Sequence, residues 1–187
     1  MPNHCANDLY ISGPQEKIDE LFKLMGLDKE KPEFDCNAVI PYPEKLRDMD
    51  AEAKVFSWNS KVSKEEQEAA RSAYMKKWGT TSDGYNSGGY AWCIANWGTK
   101  WGAYDVRVYT HDLRGLCVTF DSAWSPPSPV IEKLVEMFPE LRIEHEYFEH
   151  GAGYCGGLVA YPRDEDYPDD SRVNTWQGSY SGSRGGG

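Results

Sequence analysis

An α+β fold, with an antiparallel sheet carrying two helices on one face, is predicted by three observations. Short stretches with period-two alternation of apolar and polar residues recur, at Cys5–Ser12, Tyr104–Tyr109, Leu116–Phe120, Leu141–Phe148 and Tyr154–Tyr161. Helical spacing of apolar residues appears once after the first of these runs and once between the third and fourth. Turn-forming residues separate the runs at short intervals, as antiparallel neighbours require.

In chain order, Leu9 and Ile11 alternate with polar neighbours in a first strand that stops at Ser12-Gly13-Pro14. Ser12 and Gln15 have capping-box spacing, and Pro14 suits a first helical turn. The helix they open places Ile18, Leu21, Phe22 and Met25 on one face and stops at Gly26. Phe34 to Ile40 reads as a short strand or extended segment closed by Pro41-Tyr42-Pro43. The pattern then changes until about Gly102, and residues 41–102 read as a helical insertion. Within it, Ser63-Lys64-Glu65-Glu66 is a capping box, and Tyr90–Trp97 is a short aromatic helix stopped by Gly98. The runs around Val106 and Val118 flank a turn at Asp112–Gly115 and form a hairpin. Pro126-Pro127 leads into a helix bearing Val130, Ile131, Leu134, Val135 and Phe138, ended by Pro139. Two strands close the domain. Residues 162–187, acidic and then Gly/Ser-rich, read as a flexible tail. The order suits a ferredoxin-like β-α-β-β-α-β sandwich over residues 1–161.

Composition narrows the function. A formal charge of -10 over 187 residues argues against binding long nucleic acid, which requires a basic stripe. Aromatic residues make up 13% of a chain whose mean hydropathy is only -0.69, so rings carry much of the packing and some are expected at the surface. The five cysteines are scattered singly, without a CxxC pair, which fits free thiols in a reducing cytoplasm. Neither a signal peptide nor a membrane-spanning apolar run is visible.

Three constellations imitate known chemistry and fail on context. Gly151-Ala152-Gly153-Tyr154-Cys155-Gly156 matches GxGxxG, but a strand pattern follows where a dinucleotide site needs a helix. His145-Glu146-Tyr147-Phe148-Glu149-His150 lacks the second histidine of HExxH and alternates like a strand. Asp105, Glu144, Glu146 and Glu149 could pair for acid–base work only if the fold brought two together. No catalytic residue, metal site or cofactor is therefore expected.

Asn96-Trp97-Gly98-Thr99-Lys100-Trp101 is the densest feature, and Ala123-Trp124-Ser125-Pro126-Pro127 echoes it. Trp97, Trp101 and Trp124 read as a clamp holding the insertion on the sheet. They also read as a recognition surface, with Lys100 and Arg107 supplying charge and Asn96 and Thr99 hydrogen bonds. These blocks, with the opening Pro2-Asn3-His4-Cys5-Ala6-Asn7 and the turn Ile40-Pro41-Tyr42-Pro43-Glu44, resemble the YubB ferredoxin-like family of small phage and plasmid proteins. The resemblance covers residues 1–161 and departs at His4, where relatives often carry tryptophan. It implies a ferredoxin-like domain, a mobile-element origin and a life in the host cytoplasm, with no assigned chemistry. The expected function is thus non-enzymatic capture, in counter-defence, of a host protein or a small nucleotide-type signal. Self-association stays open, as do two alternatives: a small hydrolase or nucleotide-processing enzyme using the carboxylates, and a structural or virion-associated module.

Overall fold

The structure, a computed structural model, describes residues 3–163 and 172–179. Six antiparallel strands form one sheet in the order β2-β3-β1-β4-β5-β6. They are β1 His4–Ser12, β2 Tyr104–Asp112, β3 Gly115–Ala123, β4 Arg142–Glu149, β5 Tyr154–Ala160 and β6 Val173–Ser179. The helices are α1 Gln15–Leu24, α2 Cys36–Val39, α3 Glu44–Ala53, α4 Lys64–Trp78, α5 Tyr90–Trp97 and α6 Ser128–Met137. Strands β1 to β4 with α1 and α6 make the ferredoxin-like unit that the sequence predicts, and β5 and β6 extend the sheet beyond β4.

Alternation buries Cys5, Leu9 and Ile11 of β1, the last two in the core beneath α1 and α6, while Ala6, Asp8 and Tyr10 point outward and stay exposed. The helices answer with Ile18 and Leu21 from α1 and Val130, Ile131, Leu134 and Val135 from α6, all buried in one core. Helix α2 and, from the insertion, helix α5 pack beside α6, and Val39, Cys93 and Trp97 join the same core. Helices α3 and α4, with the 3₁₀ turn Lys54–Phe56, surround a separate small core of Met49, Ala53, Phe56 and Tyr74.

The structure corrects three local expectations. Phe34–Ile40 is not a strand: Asp35 caps the short helix α2 by accepting from Asn37 N at 3.0 Å, and Phe34 stacks on Phe120 at 4.1 Å. Asp35 offers the backbone a helix start, and helical spacing buries both Cys36 and Val39. Ser12 makes no cap; Pro14 occupies the N-cap of α1, and Gln15 bonds Asp19 instead. The Ser63–Glu66 capping box does form.

The third correction concerns the tail. Within it, Val173–Ser179 is strand β6, paired with β5 from Ala160↔Val173 to Tyr154↔Ser179. Its side chains are mostly exposed, so no burial pattern marks it, and the ladder with β5 holds it. Arg172 anchors its start: the buried guanidinium donates to Val135 O at 2.7 Å and Tyr161 O at 3.1 Å. The tail expectation for 164–171 and 180–187 lies outside the described residues. Truncation after Arg163 is expected to lower stability by at least ~2 kcal/mol, the scale of hydrogen bonds from a charged donor. Thermal unfolding of the truncated chain checks this.

Candidate functional site: a clamped aromatic loop beside a cleft

Helix α5 ends at Gly98, whose φ of 78° gives the left-handed cap that stops the helix. A Cβ there would stand 2.7 Å from Pro129 Cδ and 2.9 Å from Pro126 O, so only glycine lets the loop lie against the start of α6. Ser125 Oγ donates to Gly98 O at 2.5 Å. The Thr99 hydroxyl, fully buried, donates to Ala123 O at 3.0 Å and accepts from Ala123 N at 3.1 Å, as a ladder partner would at the end of β3. Trp97 is buried between Tyr42 and Trp92, and its Nε1 donates to Ile40 O at 2.8 Å. Asn96 closes the helix end by donating to Trp92 O at 2.9 Å. The two tryptophan-rich blocks of the sequence therefore dock on each other, with Trp97, Thr99 and Asn96 in structural roles.

Beyond this clamp the loop turns its cation toward rings. Lys100 Nζ lies 5.4 Å from the Tyr90 ring, 5.5 Å from Trp101 and 6.0 Å from Trp124. Tyr90, Trp101 and Trp124 are all exposed, so the cluster is open to solvent while Lys100 itself is half-buried. Trp124 holds a left-handed φ of 71°, unusual for a tryptophan. Its backbone is tied on both sides, by Trp124 N to Asn3 O at 3.0 Å and by the Tyr154 hydroxyl donating to Trp124 O.

Gly98 and Tyr154 also line a cleft of about 670 Å³ between the start of α6 and strands β4 to β6, with Ser125, Ser128, Tyr147 and Gln177 among its walls. It meets a narrower cavity of about 170 Å³ that shares Ser128, Tyr147 and Gln177 and reaches His145. The cleft exists because β5 and β6 carry the sheet past the cover of α6. Its lining holds hydroxyls and an amide but no basic side chain. The start of α6 adds little for an anion: Pro127 and Pro129 have no N–H, and Val130 N and Ile131 N both bond Pro127 O. Burial pushes the Tyr154 hydroxyl up to about 12 and raises Tyr147, so both phenols stay protonated and able to donate.

At the narrow end, Asn7 Nδ2 donates to Cys5 O at 2.7 Å and Ser122 Oγ at 2.9 Å, which turns its Oδ1 to accept from His145 Nε2 at 3.0 Å. Burial drives the His145 imidazole down to about 4. The ring is therefore neutral at pH 7, with the proton on Nε2 and Nδ1 an acceptor.

Of the residues singled out in the sequence, the structure gathers Lys100, Trp101 and Trp124 and sets Asn96, Trp97 and Thr99 directly behind them. Arg107 is placed elsewhere, exposed in β2 on the helix-free face, where it lines a depression with Asp8, Asp105 and Asp121. The four carboxylates do not converge. Glu149 is buried and accepts from Gly151 N and Ala152 N in the glycine turn, Glu144 pairs with Arg142 at 2.9 Å, and Glu146 and Asp105 face solvent on separate strands. Among the described residues no three His, Cys, Asp or Glu side chains group as metal ligands. Tyr90 and the cleft residues were not legible in the sequence. Tyr90 stands ten positions from Lys100, and the cleft depends on β6, which carries no burial pattern.

Residues 103–172 match the profile described as "Ferredoxin-like domain in Api92-like protein". No curated protein matches the chain. Among solved structures, the crystal structure of a protein api92 from Yersinia pseudotuberculosis is similar with a TM-score of 0.52 and 13% identity, covering 97% of this chain and 99% of that one. At that identity the likeness concerns the fold. From β2 to Arg172 the chain is thus similar to the ferredoxin-like domain of Api92-like proteins.

Proposed function

We propose that this protein is a non-enzymatic binding protein of a phage or other mobile element, which captures a small nucleotide-type ligand in the host cytoplasm and so serves counter-defence. The mobile-element and counter-defence parts rest on the resemblance to the YubB family. The capture part rests on one observation: the open Lys100–Tyr90–Trp101–Trp124 cluster adjoins, through Gly98 and Tyr154, a cleft of about 670 Å³. That volume falls in the range of small-ligand sites. An exposed indole offers a stacking face for a base, Lys100 meets a phosphate, and the uncharged hydroxyls and Gln177 suit a sugar or base edge. The carboxylates favour capture over hydrolysis at this site, because none of Asp105, Glu144, Glu146 and Glu149 lines the cleft.

Calorimetric titration with AMP, using adenosine as the uncharged control, tests the reading. Lys100→Ala is expected to weaken AMP binding about tenfold, the scale of one charge-assisted contact, and to leave adenosine binding and the melting temperature nearly unchanged. Trp124→Ala is expected to weaken both ligands. Unchanged AMP affinity in Lys100→Ala, or no saturable binding of either ligand to the wild-type protein, overturns the proposal. Chemical alteration of recovered AMP shows the hydrolase alternative instead.

A further inference from the structure

Opposite residues across the ladders share a face, and one row runs straight across the helix-free side of the sheet. It reads Arg107, Thr119, Asp8, Glu146, Gly157, Trp176. Two features of this row conflict with simple stability. Asp8 and Glu146 stand directly opposite each other on the central strands β1 and β4, where like charges repel. Neither has an ion-pair partner among the described residues, although the neighbouring Glu144 is paired with Arg142. In addition, large rings lie open on the same face: Tyr10, Tyr109 and Trp176 are 46%, 61% and 45% exposed.

Gly157 joins the two features. A Cβ there would come within 2.7 Å of Trp176 Nε1, so the indole packs against the glycine, one strand away from Glu146. The result is a depression of about 290 Å³ lined by Asp8, Glu146, Phe148 and Trp176. A planar cation is complementary to it, because a guanidinium can donate hydrogen bonds to both carboxylates and stack on an indole. The adjoining depression of about 320 Å³, with Asp105 and Asp121, continues the negative surface along β1 toward β2. Burial and the charge of Asp105 raise the Asp121 carboxyl, an effect His4 and Arg107 only partly oppose. An open ferredoxin-like sheet with exposed rings is the geometry on which other proteins stack RNA bases, but here the central carboxylates repel phosphates.

We propose that the helix-free face is a docking surface for an arginine-bearing extended segment of a protein partner, with one guanidinium seated between Asp8, Glu146 and Trp176. This face is distinct from the Lys100 cluster and its cleft, and the proposal does not depend on the ligand reading. The local conflict at Asp8 and Glu146 is resolved when the cation arrives, so stability and recognition pull these two side chains in opposite directions.

The test uses the full chain and a nine-residue Gly/Ser peptide with three arginines at alternate positions, titrated at low salt and followed by backbone amide shifts and calorimetry. Saturable binding is expected, with shifts confined to β1, β4, β5 and β6. The double variant Asp8→Asn, Glu146→Gln is expected to bind at least about tenfold more weakly while its melting temperature holds or rises. Trp176→Ala is expected to weaken binding several-fold, and a peptide with lysine for arginine to bind less well. Because the whole protein is acidic, Glu65→Gln, Glu68→Gln on the exposed face of α4 removes the same charge elsewhere and is expected to leave affinity within about twofold. Equal weakening by that control shows mere attraction of a polycation and overturns the proposal. Wild-type affinity in the Asp8/Glu146 variant, no saturable binding, or shifts centred on the Lys100 loop overturn it as well. AMP binding is expected to be untouched by the Asp8/Glu146 variant, which keeps the two proposals separately testable.

Discussion

Replacing Trp97 by alanine is expected to cost about 3–5 kcal/mol of stability, the range for deleting a buried large aromatic. Three losses combine. The indole is 8% exposed and belongs to the main core, so a cavity opens between Tyr42 and Trp92. Its edge-on contact with Trp92, at 5.4 Å and 84°, disappears. Ile40 O also loses the donor that Trp97 Nε1 supplies at 2.8 Å. Equilibrium urea unfolding of Trp97→Ala beside Lys100→Ala gives the contrast, since the lysine's cation is not needed to fill the core. A loss under about 1 kcal/mol for Trp97→Ala would mean that the indole does not hold the insertion to the sheet.

Acidification is expected to remove about 3 kcal/mol of stability through His145 alone. Its pKa is 6.5 as a free side chain and falls to about 4 in the fold, with desolvation as the cause. The unfolded chain therefore takes up a proton that the folded chain refuses. The contribution is fully present above pH 6.5, declines as pH falls, and is lost as pH passes through about 4. His145→Gln keeps a donor for Asn7 Oδ1 and has no ring to titrate, so its stability is expected to vary much less across this window. Urea midpoints measured from pH 7 to pH 4 decide the matter. Equal slopes for the two proteins would show that the imidazole is protonated in the fold. The carboxyls of Asp19, Glu52 and Asp112 are also held low, by bonds to Gln15, Lys77 and Arg114, but they are exposed and act at lower pH.

The sheet and its two covering helices were legible because both bury one face. Period-two alternation in β1, β3 and β4, and helical spacing in α1 and α6, record that burial directly in the residue order. Elements without a buried stripe were not legible. Strand β6 has polar residues at nearly every position and exists through its ladder with β5, while α3 buries only Met49 and Ala53 in a run of charges. The Phe34–Ile40 misreading has the same origin, since a short apolar run fits a strand or a buried turn of helix equally well. For the candidate site, the loop from Trp97 to Trp101 stood out by composition. Its cleft did not, because the walls come from α6, β4, β5 and β6, and their approach is a matter of tertiary packing. Arg107 shows the converse: residue type suggested a partner for Lys100, but alternation along β2 sends its side chain to the other face.

The small core of Met49, Ala53, Phe56 and Tyr74 sets helices α3 and α4 apart from the main core. Helices α3 and α4 bury few apolar groups, and they join the rest of the molecule through contacts such as Asp50, which accepts from Tyr85 N at 2.8 Å and from the Tyr42 hydroxyl at 3.3 Å. Elements so sparsely buried open more cheaply than a sheet locked to two helices, and they open as a unit. The α3–α4 lobe is thus expected to open at lower free energy than the sheet, and Tyr85, held by Asp50 and donating its hydroxyl to Lys100 O at 3.2 Å, links that opening to the Lys100 loop. Proteolytic nicking within the lobe is then expected to leave the sheet folded while loosening the loop that carries Lys100.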